Sequence, residues 1–307
     1  LGIPALVVVN PAAAGGRAGR AWKRLEPLVR ASLPALAVRR TGGPGEAEQL
    51  AREWGLENPA GTLIAAGGDG TVHETVNGLC AGEWTGRLGV IPMGSGNDFA
   101  RNAAIPLDPV QAARGLAADS SRRCDVGRLA FQNPGGSAQS RVFVNSVSLG
   151  VSVRANRLAH AISSVGAGPR RYRLGALLAL LWREDARYRL TGASGLLFDG
   201  PALNLTVANG AAFGGGLRIS PDSSPLDGRL ELVLLEPMGR LRAILALSRL
   251  QQGRHVDMAE VRVVALPGSI GIALEHDAWC AEADGEQLEG RGVLTVDLLP
   301  GRLALLN

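Results

Sequence analysis

The chain has 307 residues, a net charge of +4, 46% hydrophobic and 20% charged residues; this balance excludes a disordered chain and suits two domains of ordinary size. The three cysteines, Cys80, Cys124 and Cys280, lie far apart with no CxxC pair, which argues against a disulfide frame or a zinc site and for a reducing, cytoplasmic location. No apolar run approaches the ~20 residues of a membrane span, no secretory signal precedes ALVVVN, and so small a positive charge does not point to a nucleic-acid partner.

The first part of the chain alternates strand and helix. ALVVVN (5–10), ALAVRR (35–40), TLIAA (62–66) and RLGVIPM (87–93) read as strands. Helical patterns fall at 17–32, 45–55, 71–82, in the segment from SGNDFARNAAI, and at 108–118. Apolar strands separated by helices indicate a parallel sheet covered on its faces. After about residue 125 the pattern changes to short β-like runs: 141–150, 202–210, 229–237, 259–266 and 293–300, divided by turn sequences such as NPGG, FDGP and LPGS. Helices are expected at 151–162, 170–183 and 239–250. The expected fold is therefore an α/β N-terminal domain with a parallel sheet, residues 1–125, and a mainly antiparallel β-sandwich domain, residues 126–295. The segment 296–307 is expected to return to the first domain, and the cleft between domains is the expected active site.

Three loops at the carboxyl ends of the parallel strands are rich in Gly, Asn, Asp, Ser or Thr: NPAAAGGRAG (10–19), GGDGTVHE (67–74) and MGSGNDFAR (93–101). Ligands of open parallel sheets bind at this edge. Glycines let backbone approach a ligand, and amides at a helix N-terminus favour phosphate. Two of the loops carry a carboxylate, Asp69 and Asp98, which beside phosphate calls for a bridging cation. Mg²⁺ takes oxygen ligands from one or two carboxylates, phosphates and water. There is no GxxxxGK[ST] segment, no HRD or DFG, and no GxGxxG after the first strand, so P-loop enzymes, protein kinases and Rossmann dehydrogenases are excluded. With Lys23 the only lysine, phosphate binding falls to amides, arginines and metal.

Taken in order, VVVNPAAAGGRAG, GGDGTVHETVNGL and LGVIPMGSGNDFAR resemble the diacylglycerol kinase catalytic domain family, which includes bacterial lipid kinases, sphingosine kinases and ceramide kinases. The resemblance continues through RCDVGRL, NSVSLGVSV, ISPDSSPLDGRLELVLL and EADGEQL and so covers nearly the whole chain. GGDGT alone is shared with NAD kinases; GGDGTxxExxNG with GSGNDFAR is specific to the lipid-kinase branch. The resemblance implies an NAD kinase/phosphofructokinase-like first domain. It also implies ATP as phosphoryl donor, bound against Asn10, Thr41, Gly67, Gly68, Asp69, Gly70, Thr71, Glu74 and Ser95, with Asp69, Asp98 and Asp125 forming an acid network that reaches the nucleotide's Mg²⁺ through water. From the residues alone, Thr41 could equally be an N-cap and Glu74 part of a capping box.

By the same resemblance Asp284 is the general base for a lipid hydroxyl, although DGE between two strands by itself reads as a hairpin turn. Ser224, Asp227 and Arg229 match a second, structural metal site, with a plain LDG turn as the alternative. The expected reaction is Mg²⁺- and ATP-dependent phosphorylation of diacylglycerol to phosphatidic acid. Phosphatidylglycerol, a sphingoid base or a polyprenol are alternative acceptors. NAD kinase activity and an inactive nucleotide- or lipid-binding regulator are the rival readings. The partner is then a membrane lipid, reached from the inner face by peripheral contact. In the segment 169–183, Arg170, Arg171, Arg173 and Arg183 flank an apolar middle with Tyr172 and Trp182; it reads either as an interfacial helix or as one packed on the β domain. A homodimer is expected from the family.

Overall fold

The computed structural model describes residues 3–33, 35–117, 120–162, 169–181, 185–266 and 268–306, with the backbone alone of 160 and 169–173. It divides into two compact units: Leu1–Asp125 with Pro300–Asn307, and Val126–Leu299.

In the first unit β1 (Ala5–Val9), β2 (Leu36–Arg40), β3 (Thr62–Gly67) and β4 (Arg87–Pro92) run parallel in the order β4-β3-β1-β2. The end of the last strand, β15 (Glu286–Leu306), joins beyond β4, with Ala304 opposite Arg87 and Leu305 opposite Leu88. β1, β3 and most of β4 are buried without alternation, as a sheet covered on both faces requires. The covering helices are α1 (Arg17–Ser32), α2 (Glu46–Glu57), α3 (Asp69–Cys80) and α5 (Pro109–Gly115), with the short α4 (Asp98–Asn102) before α5. In α1, Ala18, Trp22, Leu25 and Val29 are buried, the 3.6-residue stripe of a helix facing a core. They meet Val7, Val9, Ile64, Ile91 and Leu306. Since β1 is followed spatially by β2 on one side and β3 on the other, the loops after β1 and β3 diverge. That is the topological switch point where open α/β sheets bind ligands.

The second unit is antiparallel. One run of strands goes β12 (Val261–Leu266), β11 (Leu230–Leu235), β10 (Asn204–Ala208), β7 (Ser146–Gly150), β14 (Ala278–Ala283), β15. Beyond β15 lie β13 (Ile270–Leu274), β8 (Ala186–Gly192) and β9 (Gly195–Ala202), while β5 (Ser121–Gln132) pairs with β15 and β6 (Ala138–Phe143). The core between these layers is aliphatic and aromatic: Leu129, Phe143, Leu149, Tyr188, Leu205, Ile272 and Leu294, with Phe131 edge-on to Trp279 at 5.2 Å. Helices α6 (Val151–Ala161), α7 (Pro169–Leu181) and α8 (Arg240–Leu250) bury a separate cluster that includes Leu180, Leu203, Val233, Met238 and Ala243. Among the described residues no helix is long and apolar enough to cross a membrane.

The run RVFVNSVSLG, expected as one strand, is two. β6 ends at Phe143 and β7 starts at Ser146, because the amides of Val144, Asn145 and Ser146 are given to a side chain, Asp284, rather than to a ladder.

Candidate active site

In the first unit the loops after β1, β2, β3 and β4 enclose a cavity of about 530 Å³. Asn10, Thr41, Gly68, Asp69, Gly70, Thr71, Glu74 and Ser95 line it together. Gly67, Asp98 and Asp125 are not among its lining residues. Glycine is required where the loops meet: a Cβ on Gly94 would lie 2.5 Å from Gly68 Cα, so the β3 and β4 loops close on each other only as bare backbone.

Local bonds hold the loops. Asn10 Nδ2 donates to Thr71 Oγ1 at 3.1 Å and Asn10 Oδ1 accepts from Ala12 N–H at 3.0 Å. The Asn97 side chain bonds both backbone groups of Gly94, and Asn97 itself is left-handed at φ 57°, a conformation Asn tolerates better than most residues. Asp69 Oδ1 accepts from Phe99 N–H at 3.0 Å, tying the start of α3 to the start of α4. Asp98 is buried at the first position of α4. Asp125 Oδ1 accepts from Gly301 N–H at 2.6 Å and fixes the returning strand. Helix α3 begins without a side-chain cap; its first internal bond is Val72 N–H to Gly68 O at 3.1 Å, and the preceding first-turn residues line the cavity. Such an end favours an anion. Two guanidiniums bond carbonyls of lining residues: Arg17 donates to Ala14 O and Arg101 to Gly96 O.

For both Thr41 and Glu74 the capping alternative is the one that fails, while both residues line the cavity. The cap of α2 is Gly45, not Thr41. Glu74 forms no box with Thr71; its Oε2 accepts from Ala47 N–H at 3.1 Å, in the first turn of the neighbouring helix α2.

In the second unit Asp284 and Gly285 form the two-residue turn between β14 and β15, both at positive φ (50° and 94°), the signature of a type I′ hairpin. The hairpin reading of DGE thus describes the backbone, and the side chain does something more. Asp284 Oδ2 accepts from Val144 N–H at 2.7 Å, and Oδ1 from Asn145 N–H at 2.8 Å and Ser146 N–H at 3.1 Å. Three amides fix the carboxylate. Two residues back, Glu282 is 7% exposed. Burial pushes its carboxyl up to about 8 from an ordinary 4.5, the Asp284 charge adds to the rise, and a hydrogen bond with Asn156 opposes it. Next to it on the sheet is Ser148, whose Oγ meets Thr206 Oγ1 at 2.9 Å; Asn204 Nδ2 donates to Thr206 and its Oδ1 accepts from Ser152 N–H. Sequence reading missed this buried polar row. Its only trace was a Glu at an inward strand position.

A second cavity in this unit, about 70 Å³, is lined by Ala155, Ala176, Leu180, Leu203, Met238, Ala243, Ala246 and Leu250, together with Ser152, Asn204 and His255. His255 Nε2 donates to Ile219 O at 3.0 Å, and burial pushes the imidazole below its ordinary value. At the 222–231 loop, Arg229 N–H donates to Asp227 Oδ1 at 3.0 Å and Leu226 N–H to Ser224 Oγ at 3.3 Å. Among the described residues no three His, Cys, Asp or Glu side chains converge as a metal-holding group. Of the segment 169–183, Arg170, Arg171, Tyr172, Arg173, Trp182 and Arg183 lie outside the residues whose side chains are described.

Comparison with known proteins agrees with both halves. Residues 4–129 match the Diacylglycerol kinase catalytic domain, and residues 145–307 match the YegS C-terminal NAD kinase beta sandwich-like domain. A protein of Serratia proteamaculans named "Probable lipid kinase YegS-like" is 31% identical over 98% of this chain and 92% of its own length. A protein of Bacillus subtilis named "Diacylglycerol kinase" is 29% identical over 69% of this chain and 67% of its own length. In fold, a crystal structure of a diacylglycerol kinase from Bacillus anthracis superposes with a TM-score of 0.71 at 21% identity, over 99% of this chain and 96% of that one. The chain therefore belongs to the diacylglycerol kinase catalytic domain family, among the YegS-like lipid kinases, and is a phosphotransferase with an alcohol group as acceptor.

Proposed function

We propose that the enzyme transfers the γ-phosphoryl group of ATP to the free hydroxyl of diacylglycerol, giving phosphatidic acid and ADP. The observation that carries a lipid acceptor is the aliphatic cavity under α6, α7 and α8, since apolar walls with a few polar groups suit an acyl chain and leave a dinucleotide's charges unanswered. The donor's phosphates fit the glycine-lined cavity of the first unit, where the amides of Gly68, Gly70, Thr71 and Ser95, and the guanidiniums of Arg17 and Arg101, are at hand. Asn10, Thr41 and Glu74 shape the remaining wall.

The donor set fits magnesium as a companion of ATP rather than as a resident ion. Asp69 is a cavity-lining carboxylate joined by a backbone bond to the segment that carries Asp98, and Mg²⁺ held by one or two carboxylates, phosphate oxygens and water needs no cage of three acids. Bound there, the ion neutralises phosphate charge. Asp125 anchors the returning strand and is the third acid of this set. Ser224 and Arg229 carbonyls with the Asp227 carboxylate would hold a second, structural ion.

The chemistry asks little covalent work of the protein. The acceptor oxygen bonds the γ-phosphorus as the bond from phosphorus to the β–γ bridging oxygen breaks and ADP leaves. Asp284 receives the hydroxyl proton. A carboxylate pinned by three amides is suited to that task, because position rather than base strength limits a loose phosphoryl transfer.

The test is transfer of labelled γ-phosphate from Mg-ATP to detergent-dispersed diacylglycerol, phosphatidylglycerol, sphingosine, a polyprenol and NAD in parallel. Labelled phosphatidic acid is the expected product. A labelled product from another lipid alone corrects the acceptor, and labelled NADP alone overturns the lipid reading.

A further inference from the structure

Helix α8 is apolar on two opposite sides. Its inner side, Ala243, Ala246, Leu247 and Leu250, lines the aliphatic cavity. Its outer side carries Leu241, 84% exposed, Ile244, 36%, and Leu245, 42%. At 3.6 residues per turn Leu241, Ile244, Leu245 and Ser248 fall on one strip. Arg242 and Arg249 border that strip on one edge and Arg240 on the other, and the helix has no acidic residue. Arg242 is engaged by Glu260; Arg240 and Arg249 are exposed. The adjoining surface continues in kind: Arg240 shares a depression with Arg154, Arg157, Leu178 and the 39%-exposed Leu181 of α7.

We propose that this outer face of α8 docks on an anionic lipid bilayer. The argument is complementarity of both kinds at once. Leucine and isoleucine side chains standing in water at i, i+3 and i+4 are the face an interfacial helix inserts, and flanking arginines reach headgroup phosphates while their stems stay in the apolar boundary. A helix apolar on both sides is otherwise found buried in a protein core, yet α8 covers its cavity with one side only. The inference rests on the lipid-kinase reading and adds to it the place where the substrate's own phase is met: the roof of the aliphatic cavity is also the part that touches the membrane. The inserted strip lies on α8 and adjoins, at Leu178 and Leu181, the 170–183 segment singled out in the sequence.

The experiment is co-sedimentation of the full chain with phosphatidylcholine vesicles, with and without about one third phosphatidylglycerol, for wild type and the Leu241→Glu, Leu245→Glu double variant. Wild type is expected on the anionic vesicles, less so on neutral ones or at high salt, and the variant's partitioning is expected to fall about tenfold or more. Glutamate keeps helix propensity, and neither residue lines the cavity, so phosphorylation of a short-chain, monomerically dissolved diacylglycerol should be unchanged in the variant. Equal vesicle binding by the two proteins overturns the proposal. So does a result in which the variant loses self-association in vesicle-free solution and keeps its vesicle binding, which would assign the face to a second copy. Failure of both proteins to phosphorylate the short-chain lipid would overturn the acceptor reading instead, and vesicle binding would still decide the surface.

Discussion

The two cavities are built on opposite principles. The larger one, in the first unit, is walled by loop backbone, and its shape depends on what Gly68 and Gly94 lack. The smaller one, in the second unit, is walled by alanine, leucine and methionine side chains on helices and strands. A backbone wall offers the same amides whatever the neighbouring side chains are, which suits a ligand with a constant part such as a triphosphate. A side-chain wall changes volume with every substitution, which suits an acceptor whose chain varies.

The largest effect should come from a residue that belongs to neither wall. Asp284→Asn is expected to lower kcat by roughly 10²–10⁴ with little change in ATP affinity, measured by calorimetry; near-normal turnover would remove Asp284 from the mechanism. Because the carboxylate also holds three amides, thermal melting should accompany the assay. Gly94→Ala would push a methyl against backbone with nowhere to move, so the ATP Kd should rise about tenfold or more while the lipid KM at saturating ATP stays put. An unchanged Kd would break the contrast. Ala246→Leu fills part of the aliphatic cavity and should raise KM severalfold for a long-chain acceptor, less for a short one, leaving ATP binding alone; overpacking should cost about 1–3 kcal/mol of stability.

The last prediction concerns pH. Glu282 titrates at about 8 in the folded chain against an ordinary 4.5, so the native state holds the extra proton between those values. Stability should therefore fall as pH rises from about 4.5 to about 8. Glu282→Gln removes that slope. The difference in denaturation midpoint between variant and wild type should grow in the variant's favour across this window and level off above it; parallel pH profiles would show that Glu282 is ionised in the fold.

The first unit was readable because β1, β3 and β4 are short apolar runs and the loops after β1, β2, β3 and β4 carry glycine. The second was read in part. β5, β8, β9, β13 and β14 were not assigned as strands, and β8 and β9 show local reasons. β8, ARYRLTG, alternates buried and exposed residues with arginine outward. β9 contains Pro201 and, among the described residues, pairs only with β8, an edge where a missing N–H is tolerated. Of β15 only 293–300 was read as a strand; it continues through Pro300 and Gly301 to Leu306. In the candidate site, the family resemblance singled out Asn10, Thr41, Gly67, Gly68, Asp69, Gly70, Thr71, Glu74 and Ser95, and all but Gly67 line one cavity. What Glu74 bonds, the tie from Asp69 to Phe99, and the three amides on Asp284 were not legible, because each joins residues 27 or more positions apart. The polar row of Glu282, Ser148, Thr206 and Asn204 is likewise a cross-strand arrangement that no single stretch displays.

The return of the chain through β15 has a consequence for how the protein is made. The edge of β4 is closed by Ala304 and Leu305, and Leu306 completes the core around Trp22 and Ile64. Ala304, Leu305 and Leu306 leave the ribosome only after the whole of Val126–Leu299. During synthesis the first unit thus waits with an open β edge and an unfilled core while the second is translated and folds. An open edge of this kind is where a nascent chain pairs wrongly. The segment that comes late is therefore a latch on the first unit, and the order of synthesis makes that unit the last part of the enzyme to become whole.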